Sequence, residues 1–190
     1  MSDRKLFVKC VLVLSCIALA AGLLLGLFSQ VTAITEEERA ARASKKIEEI
    51  RPGSYVAADL SGYRTNLERG SIGYLFVEEG ETTWYAAVVT GHKGYGGDIE
   101  FYVLLEGNVL REIRVGTNKE TPGISDSALK NESFFARFTG KTVEELNRAL
   151  NLSDDIDGAS GATYSSRGTK NAMAALAEFM CGYLKTEVSA

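Results

Sequence analysis

The sequence predicts an α+β protein in which an N-terminal transmembrane helix is followed by an antiparallel β-meander packed with helices. Three observations support this prediction: a long uncharged apolar stretch near the N-terminus, four strand-like segments joined by short turns, and an alanine-rich C-terminal segment with helical periodicity. A chain of 190 residues, 45% of them hydrophobic, has room for one anchor and one globular domain of ordinary size.

The anchor is predicted from residues 10–28, which carry no charge and nearly reach the ~20 residues of helix that cross a bilayer. Basic residues precede this stretch and the first charges after it are acidic, so we expect a cytoplasmic N-terminus and a domain on the periplasmic or extracellular side. The alternative is a signal peptide cleaved after Ala33. Because signal cores usually run to about 7–15 apolar residues, the sequence favours a retained anchor.

Domain boundaries follow from the composition. We expect residues 1–33 to form the cytoplasmic stub and anchor, 34–53 a juxtamembrane helix and linker, and 54–190 the extracytoplasmic domain. Thr35 followed by Glu38 is typical of a capping box, and Pro52-Gly53 ends the predicted helix. Since residues 35–50 are dominated by charges, we expect this helix to be solvated.

Four segments rich in aromatic and β-branched residues predict the strands of the meander: 71–79, 82–90, 98–105 and 109–115. The apolar residues of the last segment do not alternate, which leaves its register open. Trp84 is expected to pack against the sheet. Residues 131–138 and 142–150 predict short helices that contribute core residues, and the apolar stripe beginning at Ala172 predicts a long final helix.

Composition excludes several classes of function. The formal charge of −4 and the lack of a basic run after the anchor argue against nucleic acid as the main partner. The three cysteines lack metal-binding spacing, and Asp154, Asp155 and Asp157 lack the spacing of a calcium loop. His92 is the only histidine, so we predict neither a histidine-based catalytic triad nor a metal site.

Three polar motifs are candidates for a ligand site. Residues 157–166 consist mostly of small and hydroxyl-bearing residues at the start of the final helix, which favours a phosphate seat. Residues 91–97 contain four glycines and predict either a flexible hairpin loop or a backbone that approaches a ligand. Residues 120–123 contain Pro-Gly in a polar stretch, which predicts a tight turn.

All three motifs resemble the RnfG/NqrC-type FMN-binding subunit family. Ser160-Gly161-Ala162-Thr163, between Asp157-Gly158 and Ser165-Ser166, resembles the flavinylation motif of that family. Gly94-Tyr95-Gly96-Gly97 followed by Ile99 resembles its G-Y-G-G-x-I pattern, and Glu120-Thr121-Pro122-Gly123 its E-T-P-G motif. Relatives often continue E-T-P-G with Leu-Gly, where this chain has Ile124-Ser125.

The resemblance implies FMN bound covalently through a phosphoester to Thr163. A threonine hydroxyl is a poor nucleophile without an activating base or metal, so the resemblance also implies an external ApbE-type flavin transferase. Ser165 and Ser166 either bind the phosphate or cap the helix. The implied cofactor-binding residues are Thr163, Ser160, Gly161, Ala162, Ser165, Ser166, Glu120, Thr121, Pro122, Gly123, Tyr95 and Gly96.

Within the family the chain looks closest to the RnfG type. That likeness implies an electron-relay subunit of a membrane-bound ferredoxin:NAD⁺ oxidoreductase complex, which couples electron transfer to Na⁺ or H⁺ movement. Its partners would be the other subunits, and it would have no complete activity alone. The alternatives are an NqrC-type subunit of a Na⁺-translocating NADH:quinone reductase, another anchored extracytoplasmic flavoprotein, and a flavin-free binding module.

Overall fold

The computed structural model describes residues 2–31 and 35–187 and confirms the predicted fold class. An N-terminal apolar helix is followed by a five-stranded antiparallel sheet packed with helices. The chain divides into two compact units, Met1–Arg39 and Ala40–Ala190. The candidate cleavage site at Ala33 lies outside the described residues.

The first unit contains helix α1, Ser2–Val31, and the first turn of helix α2, Glu36–Ile50. By length and composition, residues Phe7–Phe28 of α1 are apolar enough to cross a membrane, with a mean hydropathy of 2.7. The start of α2 confirms half of the predicted capping box, because the Glu38 N–H donates to Thr35 Oγ1 at 3.2 Å.

The rest of α2 belongs to the second unit and packs on one face of the sheet. Ala43 and Ile47, four residues apart and therefore on one side of the helix, are buried against a cluster of sheet residues. The expectation of a solvated helix is wrong for this side of α2. The sheet residues in the cluster are Phe76, Ala86, Val88, Tyr102 and Leu104.

The sheet is a meander whose strands pair in chain order and are antiparallel throughout. Four strands lie within two residues of the predicted segments: β2, Gly70–Glu78; β3, Trp84–Gly91; β4, Ile99–Glu106; and β5, Val109–Val115. A further strand, β1, Val56–Ala57, pairs with the outer edge of β2. Sequence reasoning missed it because two exposed residues leave no pattern of alternating burial.

A β-bulge settles the register of β5. Leu104 pairs with Glu112 and Leu105 pairs with Leu110, so Arg111 is the extra residue. The bulge turns both Leu110 and Ile113, three residues apart, toward the buried side of the sheet. This is why the apolar residues of the segment do not alternate.

The C-terminal half adds four helices and a π-helical turn. The short helices are α3, Asp126–Leu129; α4, Glu132–Phe135; and α5, Val143–Asn147, which continues into the π-helical turn Arg148–Leu152. Helix α4 is shorter than predicted, yet Phe134 and Phe138 are fully buried, as expected for core residues. The long helix α6, Thr163–Glu187, covers the face of the sheet opposite α2, because strand residues alternate between the two core clusters.

Helix α6 crosses the end of β3 in direct backbone contact. A Cβ placed at Gly91 would overlap the carbonyl oxygen of Gly168 and come within 2.7 Å of the Ala172 amide nitrogen. A Cβ at Gly168 would come within 2.7 Å of Ile99 Cδ1. Glycine at both positions therefore sets the distance between the helix and the sheet.

Candidate functional site

The site is centred on the first turn of α6, which begins at Thr163. Gly161 precedes it with φ at +83°, a conformation that favours glycine, and the Ser166 N–H makes the helical bond to the Ala162 carbonyl at 2.8 Å. The N–H groups at a helix start have no intrahelical acceptor and form the positive end of the helix dipole. Thr163 is exposed, so its hydroxyl is presented to solvent at this positive end.

The loop before Thr163 is held from two sides. Ser166 is buried, and its Oγ accepts a hydrogen bond from the Ala159 N–H at 2.8 Å. Arg137 Nη1 donates to the carbonyls of Asp157 at 2.8 Å and Gly158 at 3.2 Å. These contacts fix the backbone that leads into the helix. The role of Ser166 is therefore to hold this loop in place.

A buried carboxylate joins the three motifs. Glu120 is 8% exposed, and it accepts one hydrogen bond from the Ser165 hydroxyl and another from the Gly96 N–H, the latter at 2.8 Å. Gly96 belongs to the glycine-rich loop, Glu120 to the E-T-P-G turn, and Ser165 to the first turn of α6. Ser165 is itself buried, so its hydroxyl is committed to this contact.

The glycines of the 94–97 loop allow it to approach the E-T-P-G turn closely. A Cβ at Gly96 would overlap the carbonyl of Lys119, and one at Gly94 would lie 2.8 Å from Glu120 Oε1. The close approach that these glycines allow is therefore made to the E-T-P-G turn of the same chain.

The E-T-P-G segment forms the predicted turn. Gly123 has φ at +86°, and both the N–H and the hydroxyl of Ser125 donate to the Thr121 carbonyl, at 3.1 and 3.0 Å. Thr121, Pro122 and Gly123 are exposed, as is the neighbouring Ile124. The turn therefore presents a surface beside the buried Glu120.

Two exposed tyrosines, Tyr95 and Tyr164, lie close to each other near Thr163. The rings of Tyr95 and Tyr164 meet edge to face with centroids 6.0 Å apart, and the guanidinium of Arg167 lies 5.2 Å from the Tyr164 ring centroid. Both rings are more than half exposed, at 68% and 53%. Sequence reasoning missed Tyr164, although its position directly after Thr163 could have indicated it.

A basic cleft of about 610 Å³ opens beside Thr163. Four basic and two acidic side chains line it, an excess of two positive charges. One of the acids, Asp154, pairs with Lys170 at 2.6 Å. Sequence reasoning missed this cleft, because its basic residues come from separate parts of the chain: Arg69, Lys93, Arg167 and Lys170.

Most of the predicted site residues meet at this place. Ser165, Glu120 and Gly96 meet through the hydrogen bonds to the Glu120 carboxylate, and Tyr95 lies next to Tyr164, the residue that follows Thr163. Ser160 and Gly161 are exposed at the end of the loop, whereas the side chain of Ala162 is buried in the core.

Fold and site together define a domain that presents an exposed threonine at a helix start, between aromatic side chains and a basic cleft. Residues 94–178 match the sequence model of the FMN-binding domain family, and the match includes all three motifs. The chain therefore contains an FMN-binding domain, the domain of RnfG/NqrC-type subunits. A search of the curated proteins finds no match to this chain.

The residues present fit FMN. Its phosphate would meet an exposed hydroxyl at the positive end of α6, and its ring would find two exposed aromatic side chains next to the 120–123 turn. The glycine contacts that bring residues 94–97 against this turn leave the tyrosine on the outside of the loop. Groups suited to a phosphate and groups suited to an aromatic ring are thus both present near the start of α6.

Proposed function

We propose that this chain carries FMN covalently on Thr163 and relays electrons as a subunit of a membrane-bound redox complex. The observation that supports this most directly is the Glu120 carboxylate, which ties all three motifs of an FMN-binding domain around an exposed Thr163. A flavin accepts and donates one or two electrons, and a covalent link suits a protein that passes electrons without releasing its carrier.

Each residue of the site has a role in this proposal. Thr163 supplies the hydroxyl to which the phosphate is attached, and the N–H groups of the first turn of α6 stabilise its negative charge. Tyr95 and Tyr164, with the exposed 121–123 turn, flank the ring. Ser165 acts through the Glu120 carboxylate that it binds, and Ser166 acts through the loop backbone that it holds in place.

An external flavin transferase of the ApbE type would attach the cofactor. A threonine hydroxyl is a weak nucleophile at neutral pH unless a base or metal activates it, and the transferase supplies that activation. Such an enzyme needs an accessible acceptor. Thr163 is exposed on a loop made of small residues, which provides that access.

The proposed complex is a ferredoxin:NAD⁺ oxidoreductase of the Rnf type that moves Na⁺ or H⁺ across the membrane. Support comes from the order of anchor, glycine loop, E-T-P-G turn and S-G-A-T motif along the chain. Residues 1–33 would be the stub and anchor, 34–53 the linker and 54–190 the extracytoplasmic domain, with the N-terminus in the cytoplasm. Copurification with an Rnf-type or an Nqr-type set of subunits tests which complex the chain joins.

Denatured protein provides the test of covalent flavin. We expect the full chain, coexpressed with a flavin transferase, to show flavin fluorescence that survives an SDS gel. Thr163→Val should abolish that fluorescence. It should change the free energy of unfolding by no more than about 0.5 kcal/mol, since Thr163 is exposed.

The matched control is Ser160→Ala, which removes another exposed hydroxyl three residues away and should leave the fluorescence intact. Fluorescence that persists in Thr163→Val would show that another residue is the acceptor. If the wild-type chain shows no flavin fluorescence after coexpression with the transferase, it is a flavin-free module and the proposal fails.

A further inference from the structure

The basic cleft is organised by one side of α6. Thr163, Arg167 and Lys170 follow each other at spacings of four and three residues, which places them on a single helix face. Lys93 reaches the cleft from the glycine-rich loop, and Arg69 reaches it from the residue before β2. Four cations therefore converge from three segments on the side of the helix that carries the acceptor hydroxyl.

Two of these cations are fixed by contacts within the chain. Lys170 Nζ lies 2.6 Å from Asp154 Oδ1, and Arg69 Nη1 donates to the Leu150 carbonyl at 2.5 Å. Lys93 and Arg167 are exposed, and the Arg167 guanidinium also lies 5.2 Å from the Tyr164 ring centroid. The positive cleft stands out in a chain whose formal charge is −4.

The charge of the cleft exceeds what an attached flavin needs. A threonine-linked FMN phosphodiester carries one negative charge, whereas the cleft has an excess of two positive charges. A diphosphate that links two nucleosides carries two negative charges. The exposed aromatic rings of Tyr95 and Tyr164 are not among the residues that line the cleft, so the surface suited to an aromatic ring and the basic cleft are distinct.

We propose that the basic cleft binds the diphosphate of the FAD donor while the flavin is being attached, an inference that rests on the proposed function. In that reaction Thr163 Oγ1 forms a bond to the phosphorus of the FMN half. The bond from that phosphorus to the bridging oxygen breaks, AMP departs with the oxygen, and the hydroxyl proton passes to a base of the transferase. No atom is oxidised or reduced. Lys93 and Arg167 position the donor and neutralise its charge.

A binding measurement tests the cleft without the transferase. The full-length chain in detergent is titrated calorimetrically with ADP, which carries a diphosphate on the same adenosine, although its outer phosphate is terminal and more highly charged than in FAD. We expect Lys93→Gln/Arg167→Gln to weaken ADP binding on the order of tenfold, because two charge-assisted contacts are lost. Added salt should weaken binding to the wild type, since Lys93 and Arg167 are exposed and their charges are screened.

The matched control is Lys45→Gln, which removes one exposed positive charge from α2 on the opposite face of the sheet. This variant should bind ADP like the wild type, and unchanged thermal unfolding of all variants would show that each is folded. Equal ADP affinity in the wild type and the double variant, or no binding in either, overturns the proposal.

The rate of flavin attachment gives a second measurement. At FAD concentrations below saturation, we expect the initial rate of in-gel flavin fluorescence to fall about tenfold in the double variant. The final yield should still reach that of the wild type, because Thr163 is intact. Equal initial rates would overturn the inference. A wild type that never gains flavin would overturn the proposed function instead, and ADP titration would still decide whether the cleft binds a diphosphate.

Discussion

The Ser165 hydroxyl donates a hydrogen bond to the carboxylate of Glu120, which lies 45 residues earlier in the chain. Both side chains are buried, at 3% and 8% exposure. The second oxygen of the same carboxylate accepts from the Gly96 N–H at 2.8 Å. The start of α6 and two loops are thus held to each other by one side chain, so the arrangement of the site depends on it.

Removing the hydrogen bond between Ser165 and Glu120 should lower the free energy of unfolding, and the effects of substituting the two residues should be coupled. Glu120→Ala leaves the Ser165 hydroxyl and the Gly96 N–H without their acceptor, so we expect a loss of about 3 kcal/mol in the free energy of unfolding. Ser165→Ala should cost about 1–2 kcal/mol, and the double variant less than the sum, with a coupling of about 1 kcal/mol. Denaturant unfolding followed by the fluorescence of the single tryptophan, Trp84, measures all of these.

The control for this cycle is Glu81→Ala, which removes an exposed carboxylate from the turn between β2 and β3. It should change stability by less than about 0.5 kcal/mol. Additive effects of Glu120→Ala and Ser165→Ala would show that the two side chains do not act as a pair.

Gly96→Ala should disturb the contact between the two loops. The added Cβ would overlap the Lys119 carbonyl and lie 3.0 Å from the Glu120 amide nitrogen, both of them backbone atoms. We expect a loss of about 1–3 kcal/mol, as for an overpacked site. Gly80→Ala is the matched control, since its Cβ would meet only the Thr82 carbonyl at 3.6 Å. Equal stability of the two variants would contradict the close approach.

Ile47→Ala tests the packing of α2 on the sheet. Ile47 is fully buried, and truncating a buried isoleucine removes apolar contacts and leaves a cavity. We expect the free energy of unfolding to fall by about 3 kcal/mol, whereas Lys45→Ala on the exposed side of the same helix should change it by less than about 0.5 kcal/mol. A solvated helix would show no difference between the two variants.

Glu78 should make stability depend on pH. The Ser54 N–H, at 2.8 Å, and then Arg51 hold the pKa of Glu78 below its ordinary value of 4.5. The carboxylate therefore stabilises the fold above its unfolded pKa, and that contribution is lost as the pH falls through the lower folded pKa. The wild type should unfold at a higher temperature than Glu78→Gln at about pH 7, and the gap should narrow progressively as the pH falls below the ordinary Glu value of 4.5.

The control for the pH series is Glu79→Gln, which changes an exposed neighbour. Its melting temperature should follow that of the wild type at every pH. A gap between the wild type and Glu78→Gln that stays constant from neutral to acid would exclude a role for the ionised carboxylate.

The parts of the fold that were predictable are those with a local pattern. β-branched and aromatic segments determine β2 to β5, and a regular apolar stripe determines α6. The buried side of α2 escaped prediction because only Ala43 and Ile47 mark it among many charges. The register of β5 depends on a bulge opposite β4, which a single segment cannot specify.

The same distinction applies to the candidate site: features with a local sequence pattern were predictable, and contacts between distant segments were not. Thr163 could be located from the sequence, since its motif and the helix that follows are contiguous. The pairing of Ser165 with Glu120 depends on how distant loops meet, so it left no local signal. The basic cleft was missed for the same reason, because Arg69 and Lys93 lie far in sequence from Arg167.

The glycine contact between α6 and β3 has a consequence for anything attached to Thr163. Gly91 and Gly168 meet through backbone atoms, and Gly168 is five residues, or about 7.5 Å of helix, from Thr163. Under the proposed attachment, a flavin on Thr163 would therefore move about a fixed point of the fold, and the torsions of its phosphate and ribityl chain would determine its reach.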